Sequence, residues 1–196
     1  MARPRAFDEA TVVHAAQQQF WTFGYAATSL DDLVKATGLT KGSLYNAFSS
    51  KHQLYLRAFE SYCSEVVERV DARLAGPDDS AAKRLRALLD GAAQTAAGSA
   101  VPRACFLAKA SAELAALDEE VKARARRAFD RLETILVHSV TAAQRAGDIA
   151  AARDPQRIAR HILVTLRGLE ALAAAGAERE VLADAVTSLT ECVFTA

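Results

Sequence analysis

The sequence predicts an all-α fold of about nine helices, and two observations support this prediction. No segment shows the sustained alternation of apolar and polar residues that is typical of a half-buried strand. The prolines and most glycines fall where helices would begin or end. Pro155 follows Asp154 at one start, and Gly38 and Gly147 follow the last apolar residues of two other segments.

The nine helices are predicted at about 8–23, 29–37, 40–48, 51–74, 80–97, 104–117, 118–146, 155–175 and 178–194. In the first helix, Val13, Ala16, Phe20 and Phe23 recur at helical spacing. We expect these four side chains to face inward.

Helices two and three are short and are joined by a tight turn. Ser29 and Asp32 form a capping-box-like pair at the start of helix two, and Gly38 tolerates the left-handed conformation that its end needs. In helix three, Leu44 and Phe48 lie four residues apart and can share a buried face. Two short helices joined in this way follow the helix-turn-helix plan, which fits a major groove of DNA.

Local signals also place the remaining helices. Ser50 and Gln53 form a second capping box before helix four, which is long enough to link two domains. Asp154 is expected to cap helix eight, with Pro155 at its first position. Helices five, seven and nine are predicted from leucines and valines at helical spacing, and helix six lies between the first two of these.

Composition limits the classes of protein that need to be considered. The 196 residues are 51% hydrophobic, which is ample for a core, and their formal net charge is zero. Residues 1–57 hold six basic and four acidic side chains, an excess too small to predict nucleic-acid binding alone. The apolar runs are far shorter than the ~20 residues of a membrane span, and no signal peptide is recognisable. We therefore expect no membrane association and a cytoplasmic location.

The sequence shows no pattern typical of an enzyme or of a metal site. The three cysteines form no CxxC pair, and the four histidines are scattered along the chain. No catalytic Ser/His/Asp order and no phosphate-binding loop occurs. We expect no catalytic residue, no metal and no cofactor. A helical adaptor that has lost DNA binding is the alternative to a DNA-binding protein.

A set of residues within about 7–59 forms a more specific pattern than the helix-turn-helix alone. It consists of Phe20, Gly24, Tyr25, Thr28, Ser29, Leu33, Gly38, Leu39, Lys41, Gly42, Ser43, Leu44, Tyr45, Phe48, Ser50, Lys51 and Leu54. In these residues the chain resembles the DNA-binding region of the tetracycline-repressor (TetR) family of bacterial transcription regulators. The resemblance implies a homodimer with a helix-turn-helix DNA-binding domain at 1–50. The larger domain at 51–196, which begins with the linking helix at 51–74, would bind a ligand and form the dimer.

The resemblance also implies a function. The protein would bind double-stranded operator DNA, with repression as the family default, and a small-molecule effector would release it. The residues expected to contact DNA are Thr28, Ser29, Thr40, Lys41, Gly42, Ser43, Tyr45, Asn46 and Lys51. Of these, Ser29 and Thr40 are expected to cap helices in any case. Arg3 and Arg5 either reach a minor groove or belong to a disordered tail.

Cys105 is the most distinctive candidate for sensing a signal. It follows Arg103 near the predicted start of helix six, and both a helix N-terminus and an arginine favour the reactive thiolate. The segment resembles a TetR subgroup with a cysteine here and a Glu-Leu pair matched by Glu113 and Leu114. Some members respond to electrophiles or oxidants, although Ala104 stands where many relatives have Gly. The alternative is a small, buried and unreactive cysteine.

Other residues are candidates for the wall of a ligand cavity. They are Phe59, Tyr62, Phe106, Phe129 and His138, and Glu113 is a further candidate for ligand binding or sensing. Aromatic residues at helical spacing more often belong to a core, and Glu113 is either a surface residue or a polar anchor.

Helices eight and nine carry more apolar surface than one buried face needs. Two such helices from each subunit would form a four-helix dimer interface. The residues assigned to it are Ile158, Ile162, Leu166, Leu169, Leu182, Val186, Leu189 and Val193. The alternative is that both helices belong simply to the core.

Overall fold

A computed structural model describes residues 7–98 and 105–194, and these contain nine α-helices and no strand. The helices are α1 (Glu9–Phe23), α2 (Leu30–Thr37), α3 (Lys41–Phe48), α4 (Lys51–Leu74), α5 (Ala81–Gly98), α6 (Phe106–Leu114), α7 (Glu119–Arg145), α8 (Pro155–Ala174) and α9 (Arg179–Phe194). The predicted all-α fold is therefore confirmed. None of the described helices combines the length and apolarity needed to cross a membrane. Arg3 and Arg5 lie outside the described residues.

The chain forms two compact units, and their boundaries differ from a simple cut in the sequence. The N-terminal unit consists of Met1–Glu65 together with Phe106–Ala125, and the C-terminal unit consists of Val66–Cys105 together with Arg126–Ala196. The helix α6 and the start of α7 thus belong with α1–α3, although about forty residues of chain separate them. The functional division at residue 50 stays a prediction.

An aromatic cluster forms much of the core of the N-terminal unit. Tyr55 on α4 packs edge-on against Phe20 of α1, with ring centroids 5.0 Å apart, and against Phe106 of α6 at 5.9 Å. Phe59 and Tyr62, also on α4, contact the same Phe106 ring at 5.6 Å and 5.5 Å. Phe59, Tyr62 and Phe106 are at most 4% exposed, so these candidates for a cavity wall are packed against one another.

The core of the C-terminal unit is formed by α5, α8 and α9, which pack together, and by the buried face of α7. All eight residues that were assigned to the dimer interface lie in this core, and none is more than 7% exposed. They pack within a single chain and leave no surface for a partner. A dimer through α8 and α9 has to use other side chains of those helices.

Two local expectations were wrong. Phe23 is 57% exposed instead of facing inward, because it is the last residue of α1 and the chain turns away at Gly24. The helix α6 ends at Leu114 and not near 117, since the backbone amides of Leu117 and Asp118 both bond to the carbonyl of Leu114 and close a turn.

The junction between α3 and α4 provides a test of local backbone strain. Ser49 ends α3 with φ 64°, a conformation that costs a non-glycine residue about 1–2 kcal/mol. Ser49→Gly removes this strain. Glycine also gives the unfolded chain more conformational freedom, and this lowers the free energy of unfolding by about 0.4–1 kcal/mol. We expect the free energy of unfolding to rise by up to about 1 kcal/mol in urea denaturation.

The adjacent serine is the matched control. The Ser50 hydroxyl accepts a hydrogen bond from the Gln53 amide at 3.0 Å, as expected for a helix cap. Ser50→Ala should therefore lower stability by about 1 kcal/mol. If Ser49→Gly and Ser50→Ala changed the free energy of unfolding equally, relief of backbone strain at Ser49 would not be the cause of the change.

Candidate nucleic-acid interface

The first helix of the candidate motif, α2, begins with a complete capping box. The Asp32 amide donates to the Ser29 hydroxyl oxygen at 3.1 Å, and the Ser29 amide donates to the Asp32 carboxylate at 2.9 Å. The Ser29 hydroxyl also donates to this carboxylate, and the hydrogen bonds from the Ser29 hydroxyl, the larger cause, and from the Ser29 amide lower the pKa of Asp32. The helix ends at Gly38, whose φ of 70° is left-handed and whose amide bonds to the carbonyl of Val34.

The second helix, α3, buries one face and exposes the other. Leu44 and Phe48 are 3% and 5% exposed, so they hold the helix against the N-terminal unit. The exposed residues are Thr40, Lys41, Gly42, Tyr45 and Asn46, while Ser43 is half-buried. Thr40 caps the helix by accepting from the Ser43 amide at 3.2 Å. Most of the predicted contact residues thus lie together on an outward surface of the kind that enters a groove of DNA.

Lys41 has an acidic partner that sequence reasoning missed. Its ammonium group lies 2.7 Å from the carboxylate of Asp31 on α2, and both side chains are more than half exposed. An exposed pair of this kind is weak, so a phosphate group can compete for the lysine. The signal in the sequence was Asp31 itself, an acidic residue in the first turn of α2 that lies two positions after the predicted contact Ser29.

Two predicted contacts have other roles within the loop before α2. Thr28 is fully buried, and its hydroxyl donates to the carbonyl of Gly24 at 2.7 Å, so it offers no surface to DNA. This corrects the assignment of Thr28. Ser29 is exposed, but its hydroxyl is engaged on both sides by Asp32, whose negative charge would repel a phosphate.

Lys51 is half-buried at the start of α4. Its ammonium group lies 4.3 Å from the centroid of the Tyr25 ring, a cation–π contact. Partial burial lowers the pKa of Lys51, and the nearby Glu113 carboxylate partly offsets this effect. Contact of Lys51 with a phosphate stays a prediction, since the described conformation places the charge over an aromatic ring.

Cys105 lies in a polar cluster of the C-terminal unit. It is 5% exposed, and Nη1 of Arg167 on α8 donates to its sulfur at 2.9 Å and also lies 2.9 Å from the Glu170 carboxylate. Burial raises the pKa of Glu170, opposed by the charge of Arg167 and a hydrogen bond from the thiol. Arg167, which is 62 positions away in the chain, thus places its charged guanidinium beside the sulfur. The Arg103 that the sequence argument used lies outside the described residues.

The remaining candidates for sensing are divided between the two units. Phe129 is a half-buried residue of α7 in the C-terminal unit, and Glu113 in the N-terminal unit binds backbone amides of the α1–α2 loop. A groove of about 370 Å³ in the C-terminal unit lies between α4 and α7 and is lined by Val67, Ile135 and His138, among others. His138 is the one earlier cavity candidate that lines it.

Two family models match the chain over most of its length. Residues 12–58 match the model described as bacterial regulatory proteins of the tetR family, and residues 81–189 match the tetracyclin repressor-like C-terminal domain. The chain belongs to the TetR family. The resemblance that the sequence showed is thereby confirmed, and the protein is a helix-turn-helix transcription regulator.

Individual TetR proteins are similar over nearly the whole chain. The transcriptional repressor ComR of Escherichia coli is 26% identical over 180 residues, which are 92% of this chain and 86% of ComR. A TetR regulator from Chloroflexus aurantiacus is 30% identical with a TM-score of 0.80, over 92% of this chain and 91% of that one. CifR, solved as a cysteine mutant with 26-base-pair operator DNA, is 27% identical with a TM-score of 0.79, over 98% of this chain and 100% of that one.

The pairing of Lys41 with Asp31 leads to a prediction in two directions. Lys41→Ala should weaken binding to a specific duplex about tenfold and flatten its salt dependence, because a cation facing DNA is lost. Asp31→Asn should strengthen binding by up to about fivefold, because it frees Lys41 from an exposed ion pair. Fluorescence anisotropy over a series of salt concentrations measures both effects.

The matched control is an ion pair of the same length elsewhere in the molecule. Asp78 contacts Arg145 at 2.7 Å in the C-terminal unit. Asp78→Asn makes the same change in net charge as Asp31→Asn and should leave DNA affinity unchanged. Equal gains from the two variants would show that net charge, and not the release of Lys41, changes the affinity.

Proposed function

We propose that this regulator is a homodimeric repressor that reads its operator with α3 and leaves the DNA when an effector acts on the C-terminal unit. One observation supports the operator contact above all others. The helix α3 is anchored by Leu44 and Phe48 and presents Lys41, Tyr45 and Asn46 outward. The similarity to CifR, which was solved on operator DNA, points to the same use of this surface.

The outward face of α3 has the chemistry that reading DNA requires. Lys41 would exchange Asp31 for a phosphate, and the hydroxyl of Tyr45 would donate to another phosphate. Asn46 and Thr40 carry the amide and hydroxyl groups that can bond to base edges. Gly42 lets the backbone approach the duplex closely, since a Cβ at this position has open space out to 4.0 Å.

We further propose that the dimer forms through the exposed faces of α8 and α9. On α8, Val164, Gly168 and Leu172 are spaced by four residues and lie on one face, and Val164 is 70% exposed. On α9, Val181 is 50% exposed. Aliphatic residues that share one exposed helix face form a contiguous apolar patch, which marks an interaction site, and the glycine allows two helices to pack closely.

Charge placed on this face should separate the subunits. Val164→Glu is expected to convert the dimer to a monomer in sedimentation equilibrium, because the carboxylate would be buried without a partner. Operator affinity should fall with it, since two reading helices act together. Leu117→Glu is the control, because Leu117 is 85% exposed outside α8 and α9. A Val164→Glu protein that stays dimeric would place the interface on another surface.

The effector we favour is an electrophile or oxidant that modifies Cys105. The Arg167 guanidinium donates to the sulfur, so Cys105 is held in a polar cluster that a covalent modification would disrupt. A sulfur that has formed a covalent bond to an electrophile no longer fits a site that is 5% exposed. Because Cys105 is joined directly to Phe106, the first residue of α6, its displacement would disturb that helix. A ligand in the groove between α4 and α7 is the second route.

The test uses duplex DNA from immediately upstream of the protein's own gene. We expect specific, salt-sensitive binding that is lost after treatment with N-ethylmaleimide. In this addition one alkene carbon bonds to the sulfur of Cys105, the π bond breaks, and the other alkene carbon takes up a proton. Cys105→Ser should bind equally well and resist release, whereas Cys192→Ser, which removes an exposed cysteine, should be released like the parent. An unchanged response of Cys105→Ser would remove the thiol mechanism and leave the non-covalent ligand.

Two further expectations follow from this function. A regulator of this kind would act in the cytoplasm, where the operator is accessible, and would catalyse no reaction. The matching relatives are transcription regulators, which supports both statements. A helical adaptor without DNA binding would show no salt-sensitive association with any duplex.

A further inference from the structure

Two charged side chains of α6 bind the backbone at the end of α1. Lys109 donates from its ammonium group to the carbonyls of Trp21 at 2.9 Å and Thr22 at 3.0 Å. One helical turn later, a carboxylate oxygen of Glu113 accepts from the amide of Tyr25 at 3.0 Å and from the next amide at 3.2 Å. We call these two side chains the α6 clamp.

The signs of the two charges match the backbone groups that they bind. The last carbonyls of a helix have no partner within it and carry partial negative charge, so the ammonium of Lys109 suits them. After Gly24, whose φ is 84°, the chain presents free amides, and the Glu113 carboxylate accepts from two of them. A Cβ at Gly24 would lie 2.9 Å from the Glu113 carboxylate, which explains why a residue without a side chain stands there.

The loop held by the clamp leads directly into the helix-turn-helix motif. Thr28 closes the loop by donating to the carbonyl of Gly24, and the next residue, Ser29, caps α2. The backbone between Gly24 and Ser29 therefore sets the direction in which α2, and α3 after it, leave α1. Fixing two successive amides of this loop fixes that direction.

The segment that follows α6 holds the other end of the motif. His52, in the first turn of α4, lies 3.5 Å from Asp118 and 3.5 Å from Glu120, which flank the start of α7. Residues 106–125 thus contact the chain both before α2 and after α3. This agrees with their place in the N-terminal unit.

We propose that Lys109 and Glu113 are positioning residues for operator recognition: they orient α2 and α3 by fixing the α1–α2 loop, and neither touches DNA. The inference rests on the operator binding proposed above. It also assigns a role to Glu113 that differs from the ligand or sensing role expected from the sequence. The carboxylate acts on the protein's own backbone.

The test compares substitutions in the clamp with the same substitutions in a nearby ion pair. Glu113→Ala and Lys109→Met should each weaken binding to the specific operator about tenfold, as expected for the loss of charge-assisted hydrogen bonds. Glu119→Ala and Lys122→Met, which break an exposed ion pair on α7, should have no effect. Binding to an unrelated duplex should stay within about twofold for all four, since phosphate contacts carry no sequence information.

A conservative variant and a spectroscopic probe separate positioning from a general loss of structure. Glu113→Gln keeps an oxygen that accepts both amides, so it should recover most of the operator affinity lost in Glu113→Ala. Trp21 is the only tryptophan of the chain, its carbonyl binds Lys109, and its ring packs on Tyr62 at 5.0 Å. Its emission should therefore shift in Lys109→Met and stay at the parent value in the two α7 controls.

Three results would overturn the inference. The first is parental operator affinity in Glu113→Ala or Lys109→Met. The second is an equal loss in Glu113→Gln and Glu113→Ala. The third is a parallel loss of specific binding, non-specific binding and urea stability, which would make the clamp a general support of the fold.

The parent protein separates the failure of this inference from the failure of the proposed function. A parent protein that binds no duplex specifically would overturn both. A parent that binds specifically, with variants that bind equally well, would overturn the inference alone.

Discussion

The structure depends on one constraint: α2 and α3 are eight residues long, and helices of that length are not stable in water on their own. Their shape has to be imposed from outside. Leu33, Leu44 and Phe48 anchor them in the apolar core, and the caps at Ser29 and Thr40 satisfy the first amides of each helix. The position of the outward face of α3 therefore depends on the whole N-terminal unit. This unit includes α6, which is far from α3 in the sequence.

A net charge of zero is compatible with DNA binding, because the lysines of the N-terminal unit differ in the partners that hold them. Three of the lysines in the N-terminal unit are engaged within the protein, Lys41 with Asp31, Lys51 with the Tyr25 ring and Lys109 with backbone carbonyls. The exposed pair is weak enough to open for a phosphate. The contacts of Lys109 with backbone carbonyls act instead on the geometry of the α1–α2 loop. Affinity for DNA then depends on which cations can exchange their partners, and a count of charges along the sequence does not reveal this.

Features that depend on neighbours in sequence were predictable, and features that depend on distant contacts were not. The capping box of Ser29 and Asp32 and the start of α8 at Pro155 were read correctly, since the partners lie within three residues. The sequence also showed that α8 is apolar on more than one face. It could not show which face is covered by the same chain, so the core residue Ile162 was assigned to the dimer and the exposed Val164 was not. Arg167 beside Cys105 was missed for the same reason.

The geometry of α6 makes operator binding sensitive to small displacements. The four hydrogen bonds of the clamp are 2.9–3.2 Å long, and such bonds weaken steeply once donor and acceptor are more than about 3.5 Å apart. A shift of α6 by less than ~1 Å would be enough to release the loop before α2. Cys105 immediately precedes α6, so in the proposed mechanism a modification that displaces Cys105 would act on a helix whose other contacts tolerate only small shifts. A loop freed in this way would keep the caps and anchors of α2 and α3 intact and lose only their direction. Such a change would remove specific recognition of the operator without unfolding α2 and α3.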